Sequence, residues 1–309
     1  MINHSQKRFQ SGVAVVLAMG VVALAAMAAA ALLVSQNTWA RHNELAAQRT
    51  QALLVVKAGI DWGRAVLKDD RRTSSVDHLG EPWALRLPPL PVDNGKLNGY
   101  LEDQNGRFNL NNLVRNGQVD TVQLEHFQRL LSILELPHTL AYALADWLDA
   151  DGESYSKGGA EDSYYRVLDT PYLAANRPMT DVSELALVSG FEESMRTRLL
   201  PYVTALPRFT PVNVNTAAPE VLAAIVEGLS LAEASIVVTR RERTYARNPA
   251  DFRLMLPKDT KFAENDITVN SEYFVARIHV VIGGAEAHGA ALLARQGSDW
   301  PTVIWRKSL

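Results

Sequence analysis

Between Asp146 and Asp162 the sequence places six carboxylates, Asp146, Asp149, Asp151, Glu153, Glu161 and Asp162, within 17 residues interrupted by Gly and Ser. Folded together without a cation, such groups repel one another. Hard oxygen ligands of this kind suit calcium, which takes about 6 to 8 oxygens in flexible geometry. The spacing is not that of an EF-hand. Reckoned from Asp149, Ser154 holds the sixth place, where Gly is required, and Ala160 the twelfth, where Glu is required. The bracketing of the acids by Trp147, Tyr164, Tyr165, Gly152, Gly158 and Gly159 points to a metal that staples a long loop through Asp149, Asp151, Glu161 and Asp162. Asp146 is set apart, because its position also suits capping or facing a helix. A solvated acidic loop is the alternative reading of the same residues.

Other chemistry has little support. No His-Glu-x-x-His, Gly-x-Ser-x-Gly or phosphate-cradling Gly-rich Lys loop occurs, the seven histidines are dispersed, and no enzymatic activity is expected. His126 and His138 are expected at the surface or as satisfied core residues, and Trp62, Trp147 and Trp305 in cores or beneath partner helices. The chain has no cysteine, which excludes disulfides and thiolate metal sites without naming a compartment.

The acidic loop must be held by helices, and the sequence supplies two related sets. Arg107-Phe108-Asn109-Leu110-Asn111 precedes apolar helical segments and then Asp181-Val182-Ser183-Glu184-Leu185; Val212-Asn213-Val214-Asn215-Thr216 precedes helices and then Asn248-Pro249-Ala250-Asp251-Phe252. Each copy reads as an extended start with Asn caps, two helices and a closing capped turn. The second copy begins its helix at Asn213-Val214-Asn215-Thr216-Ala217 and is similar to helix-hairpin-helix units of DNA-binding proteins. Its turn, Gly228 to Glu233, has one Gly and an added acid, which suits phosphate poorly. Arg240, Arg241, Arg243 and Arg247 are therefore expected to form a solvated or partner-facing stripe.

Strand patterns flank these helices. Lys96 to Asn109 stands before them; Glu272 to Ile282 and Ala287 to Arg295, joined by Gly283-Gly284, stand after, and Pro301 to Trp305 suits an edge. Phe274, Ala276, Ile278, Val280 and Ile282 alternate with Tyr273, Val275, Arg277, His279 and Val281, as in a half-buried strand.

At the other end, Val13 to Val34 is 22 residues without a charge, enough to cross a hydrocarbon core of roughly 30 Å as a helix. Lys7 and Arg8 precede it with no acid among residues 1–12, so the short tail should stay cytoplasmic and the body should cross. A secretory signal cleaved after Thr38-Trp39-Ala40 is the other reading. Beyond the span, Leu45, Ala46, Leu53, Val56, Ile60 and Leu67 recur at helical spacing and predict a stem ending near Asp69-Asp70-Arg71-Arg72. The formal charge of -3 becomes -5 without residues 1–12, a poor balance for binding nucleic acid through phosphates.

Basic residues, Gly12, an apolar helix and an amphipathic stem together resemble the prepilin-type leader of type IV pilins and secretion pseudopilins. The resemblance implies cleavage between Gly12 and Val13 and methylation of Val13; Leu17 stands at the fifth mature position, where Glu is common. With Asp77-His78-Leu79-Gly80-Glu81, Gly106 to Asn111, Ala145 to Asp151, Gly159 to Asp162, Asp181 to Leu185 and Asn213 to Ala217, the chain is similar to the type II secretion minor pseudopilin K (general secretion pathway protein K) family. That family usually lacks the Glu as well. The resemblance implies an α+β fold with a long N-terminal transmembrane and stem helix and a pilin-like antiparallel sheet. A large all-α insertion of two SAM/helix-hairpin-helix-like modules splits that sheet.

The expected divisions are a leader at 1–12, a transmembrane helix at 13–34 and a stem at 35–70. The sheet occupies 71–108 and 266–309, and the modules 109–208 and 209–265. The resemblance also implies calcium as cofactor and a place at the pseudopilus tip with minor pseudopilins I, J and H. Prepilin peptidase and the inner-membrane secretion platform would be further partners, with the head in the periplasm. A membrane-anchored or exported DNA-binding protein related to DNA uptake is the alternative function.

Overall fold

The computed structural model describes residues 6–86, 88–297 and 299–308, with side chains from Gly12 onward. The first five residues of the expected leader, and the side chains of Lys7 and Arg8, lie outside the described residues.

Helix α1 runs unbroken from Gln6 to Thr73, so membrane span and stem are one element. No Pro occurs before Pro82, and Ala and Leu dominate the run, which is why nothing stops it earlier. Arg71 and Arg72 in the last turn complement the helix dipole. The most apolar window is wholly exposed, as a lipid-facing segment is. Of the residues expected on the stem's apolar face, Val56, Ile60 and Leu67 lie against the sheet and Leu45 and Leu53 do not. Ala52, Val56, Gly59, Ile60, Gly63 and Leu67 are buried, whereas Leu45 and Leu53 are about half exposed at 48% and 43%. Close approach selects small residues here. A Cβ added at Gly59 would stand 3.0 Å from Ile278 Cγ2, and one at Gly289 would run into Val56.

The sheet has five antiparallel strands in sequential order: β1 Leu90–Val92, β2 Gly95–Asp103, β3 Tyr273–Ile282, β4 Ala285–Ala294 and β5 Thr302–Ser308. Strand β5 is the expected edge, extended to Ser308. The face bearing Phe274, Ala276, Ile278, Val280 and Ile282 packs on α1, as the alternation predicts. Each such large side chain removed from water contributes roughly 1.5–3 kcal/mol. The opposite face is not simply solvated. Tyr273 and Val275 are buried with Leu206, Ala290 and Leu292 beneath the insertion, and only toward Arg277, His279 and Val281 does it open.

Residues 104–272 leave and rejoin the sheet at one point: Asp103 and Phe274 are register partners, and Gln104 N donates to Tyr273 O at 2.9 Å. The sheet therefore closes as if the insertion were a long loop. That point lies beside the C-terminal end of α1, where Arg295 joins Asp70, while the β3–β4 turn touches α1 further back, Gly284 N donating to Gln48 Oε1 at 2.9 Å. The insertion thus sits at the end of the molecule away from the apolar span.

Within it, helices α2 Thr121–Ile133, α3 Thr139–Leu148, α4 Asp162–Tyr165 and α5 Glu193–Leu199 precede α6 Pro219–Ile225, α7 Leu231–Arg243 and α8 Pro249–Met255. Both sets share one apolar core running from Phe108 to Ile267. Each set starts with a two-residue parallel bridge, Phe108–Asn109 on Val203–Thr204 and Val212–Asn213 on Ile267–Thr268. The helix expected at Asn213 starts instead at Pro219, which suits a first helical position, because Asn213 Oδ1 accepts from Asn215 N and turns the chain there. Asp181 and Asn248 cap the closing turns, accepting from Ser183 N and Asp251 N. The expected arginine stripe is corrected at Arg241, which is buried and donates to Val214 O at 2.6 Å.

Candidate functional site

Asp146 lies on the last turn of α3, Asp149 caps that helix, and Glu161 precedes α4. Two helix ends thus bring carboxylates together, and the loop 149–161 carries Asp151 to the same place. One oxygen from each of Asp149, Asp151 and Glu161 falls within 4.8 Å of the others. Asp146 is 0% exposed, Asp149 3% and Glu161 4%. Burial of acids on this scale is costly unless each is hydrogen-bonded or bound to a cation.

Among the described residues, Asp146 Oδ1, Asp149 Oδ1 and both Glu161 oxygens have no hydrogen-bond partner. Asp146 Oδ2 accepts from Tyr155 N at 3.1 Å, and Asp151 Oδ1 from Glu153 N at 2.9 Å. Burial, then the charges of Asp151 and Asp146, push the Asp149 carboxyl up to about 7. Burial, then Asp146 and Asp149, push Glu161 to about 7 as well. Burial raises Asp146 too, against its bond from Tyr155 N. The converging carboxylates of Asp149, Asp151 and Glu161, with the unpartnered oxygens of Asp149 and Glu161 among them and that of the buried Asp146 on the same helix end, offer the hard oxygen donors that calcium takes.

Asp162 is the sequence-predicted ligand that the structure turns elsewhere. Its Oδ1 accepts from Ala174 N at 3.0 Å and its Oδ2 from Arg166 Nη2 at 2.9 Å, so both oxygens are engaged in pinning α4. Asp146, fully buried three residues before Asp149, leaves its Oδ1 unpartnered among the described residues. Its separation of three from Asp149 at a helix end was the available signal, since residues three apart share a helix face.

The surroundings are stiff. Trp147, Tyr165 and Tyr172 pack with centroids 5.2 to 6.2 Å apart, and Tyr165 OH accepts from Ser189 N. Gly159 is required because a Cβ there would collide with Asp146 and the Tyr155 backbone. Trp147 packs in the core and Trp305 against the outer sheet face, while Trp62 is 49% exposed on the stem, where the expectation allowed cover by a partner helix. His126 is buried with Nδ1 unpartnered among the described residues, not a satisfied core residue. Burial and Arg129 lower it to about 4, keeping it neutral. His138 meets Ser132 Oγ at the surface.

Gly12 and Val13 stand exposed at the start of the apolar run, with nothing packed on the Gly12 Cα. Any recognition of the junction is therefore unhindered by the folded head.

Two family models described as type II secretion system protein K match the chain, over residues 106–208 and 212–270. The chain is similar to the type II secretion system protein K of Pseudomonas aeruginosa, 38% identical over 289 residues that cover 90% of this chain and 86% of that protein. That of Klebsiella pneumoniae is 31% identical over 319 residues, covering 98% and 96%. A crystal structure of the GspK–GspI–GspJ complex from the enterotoxigenic Escherichia coli Type 2 Secretion System contains a chain of the same fold. That chain superposes with a TM-score of 0.75 at 24% identity, covering 88% of this chain and 99% of the other.

Proposed function

This chain belongs to the type II secretion system protein K family, and from that premise we propose that it is the minor pseudopilin that caps the periplasmic pseudopilus and helps start its assembly. The observation that carries this reading is the placement of the helical insertion at the end of the stem-packed sheet remote from the apolar span. In a fibre whose stems pack side by side and whose subunits enter from the membrane, a head widened there has room only where nothing lies above it.

The single apolar helix, with basic residues before it, anchors the chain in the inner membrane and leaves the head in the periplasm. Prepilin peptidase cuts between Gly12 and Val13 and the new terminus is methylated. Leu17 is exposed in the span and carries no carboxylate to pair with a neighbour's terminal amine, which favours starting a fibre over joining beneath one. The partners are minor pseudopilins I and J, as in the solved complex of the relative, with H and the inner-membrane platform following. Leu45, Leu53, Leu54 and Trp62, left exposed on the stem beside the head, supply apolar surface for neighbouring stems.

The acidic loop serves the structure of the head and not a reaction. Asp146, Asp149, Asp151 and Glu161 hold calcium, and Asp162 pins α4 behind them. When bound, calcium supplies the positive charge that lets these carboxylates stay ionised while buried. The protein is accordingly a structural subunit and not an enzyme.

Mass spectrometry of the mature amino terminus in membranes of a secreting cell tests the reading. A methylated Val13 is expected. A start at Arg41 would overturn the pseudopilin assignment in favour of a freely exported protein.

A further inference from the structure

Far from the acidic loop, the open end of the outer sheet face carries His279, Glu286 and His288. His279 and His288 are register partners on β3 and β4, and Glu286 lies two residues before His288, so the pleat points all three to one side. The imidazoles stack at 4.3 Å with planes 4° apart. His279 Nε2 lies 2.7 Å and His288 Nε2 3.1 Å from the same Glu286 Oε1. Asn98, the register partner of His279 on β2, shares that face, and its Oδ1 is shielded yet lacks a donor among the described residues.

We propose that His279, Glu286 and His288 form a second metal site, selective for a borderline transition ion such as Zn²⁺ and distinct in chemistry from the calcium loop. Two imidazole nitrogens and one carboxylate suit zinc, nickel or copper, whereas calcium takes oxygen ligands. Ligand atoms around a tetrahedral ion at about 2.1 Å stand about 3.4 Å apart, so His279 Nε2 must move about 0.7 Å and His288 Nε2 about 0.3 Å from Glu286 Oε1, and the parallel imidazoles must tilt to aim both nitrogens at one ion. The antiparallel ladder holds the ligands without loop ordering, because all three lie on paired strands. Their side chains are 34%, 59% and 46% exposed in the order His279, Glu286, His288, which leaves the outward side of the ion open to water or a further donor. The site lies three residues from the β3–β4 turn that meets Gln48, so the ion would lock the sheet end nearest the span.

The test uses the full-length protein in detergent micelles, stripped of metal, held in saturating Ca²⁺ and titrated with Zn²⁺ by calorimetry. One saturable zinc site is expected in the unaltered chain. His279→Gln and His288→Gln should each weaken it by more than about 100-fold, beyond the loss typical of supporting groups around a metal. Both variants should melt with the unaltered chain in zinc-free buffer, since neither side chain is in the core. Absence of saturable zinc uptake, or uptake of equal affinity in both variants, overturns the proposal.

Discussion

Asn111 and Asn215 perform the same operation in the two halves of the helical insertion. Asn111 accepts from Met179 N at 2.8 Å and donates to Met179 O at 2.9 Å; Asn215 accepts from Ala246 N and donates to Ala246 O, both at 2.9 Å. Met179 stands two residues before the Asp181 cap and Ala246 two before the Asn248 cap. Each buried amide thus ties the start of a module to its closing turn, and the asparagine repeats visible in the sequence have a structural cause.

Replacing Asn215 by Ala strands one backbone N–H and one C=O in a buried site, and replacing Asn111 strands the C=O of Leu206 as well as the N–H and C=O of Met179. At roughly 1–3 kcal/mol for each stranded group, a loss of at least about 2 kcal/mol is expected from either variant in urea unfolding, the larger from Asn111→Ala. A loss under about 0.5 kcal/mol would show that the pairing is dispensable.

Saturating calcium should raise the melting temperature of the full-length protein, by the equivalent of about 2.7 kcal/mol at a hundredfold excess over Kd. Asp146→Asn together with Glu161→Gln should abolish that rise while stabilising the calcium-free protein, because two mutually repelling buried charges are removed. Differential scanning calorimetry with and without chelator reads both effects. The single change Asp162→Asn should keep the calcium response.

Without calcium, stability should fall as pH rises. Asp149 and Glu161 keep their protons to about pH 7 in the fold, while the unfolded chain releases them near the ordinary 3.8 and 4.5. Over that window the folded state binds more protons, so unfolding becomes easier with increasing pH. The chelated protein should therefore melt higher at pH 5 than at pH 8, and calcium should reverse the order. Identical melting at both pH values in chelator would contradict the buried, uncompensated state of these acids.

Arg295 joins three separate pieces of chain: it pairs with Asp70 at the end of α1 at 2.7 Å, with Asp77 in the following loop, and donates to Ser271 O at 2.9 Å. Removing one partner of such a buried pair costs about 3–5 kcal/mol. Arg295→Ala should lower stability by that amount, and Arg295→Lys should recover little, since a point charge cannot serve both carboxylates through a planar fork. Thermal melting of the variants checks this, with limited proteolysis expected to cut first between residues 70 and 80.

Leu54→Ser and Trp62→Ser alter stem positions left exposed by the head, 63% and 49% respectively. Stability should stay within about 0.5 kcal/mol, and co-purification with minor pseudopilins I and J should drop. Retained co-purification in the double variant would place the partner surface elsewhere.

Much of this molecule is legible in one dimension because its signals are local. A charge-free run of membrane length, alternation on β3, Asn caps and a dense acidic loop each declare themselves within a dozen or two residues. Legibility failed where a side chain's role depends on a distant partner. Asp162 looks like its neighbours in sequence, yet Ala174 and Arg166 occupy it. Arg241 reads as one of a basic stripe, yet Val214 O takes it inward. On the stem, Val56, Ile60 and Leu67 are legible from their spacing, whereas Ala52, Gly59 and Gly63, which touch the sheet because they are small, are passed over by a count of large apolar residues.

By itself the sequence determined what kind of object this is: an apolar rod continuing into a stem, a sheet interrupted by helices, and a loop dense in carboxylates. The tertiary structure alone decided which carboxylates converge, Asp149, Asp151 and Glu161 together and Asp162 engaged elsewhere, and which small residues of the rod meet the sheet. The difference is physical. Helix and strand periodicity follow from backbone geometry and are written residue by residue, whereas convergence depends on how two helix ends far apart in the chain are aimed by a core that they share.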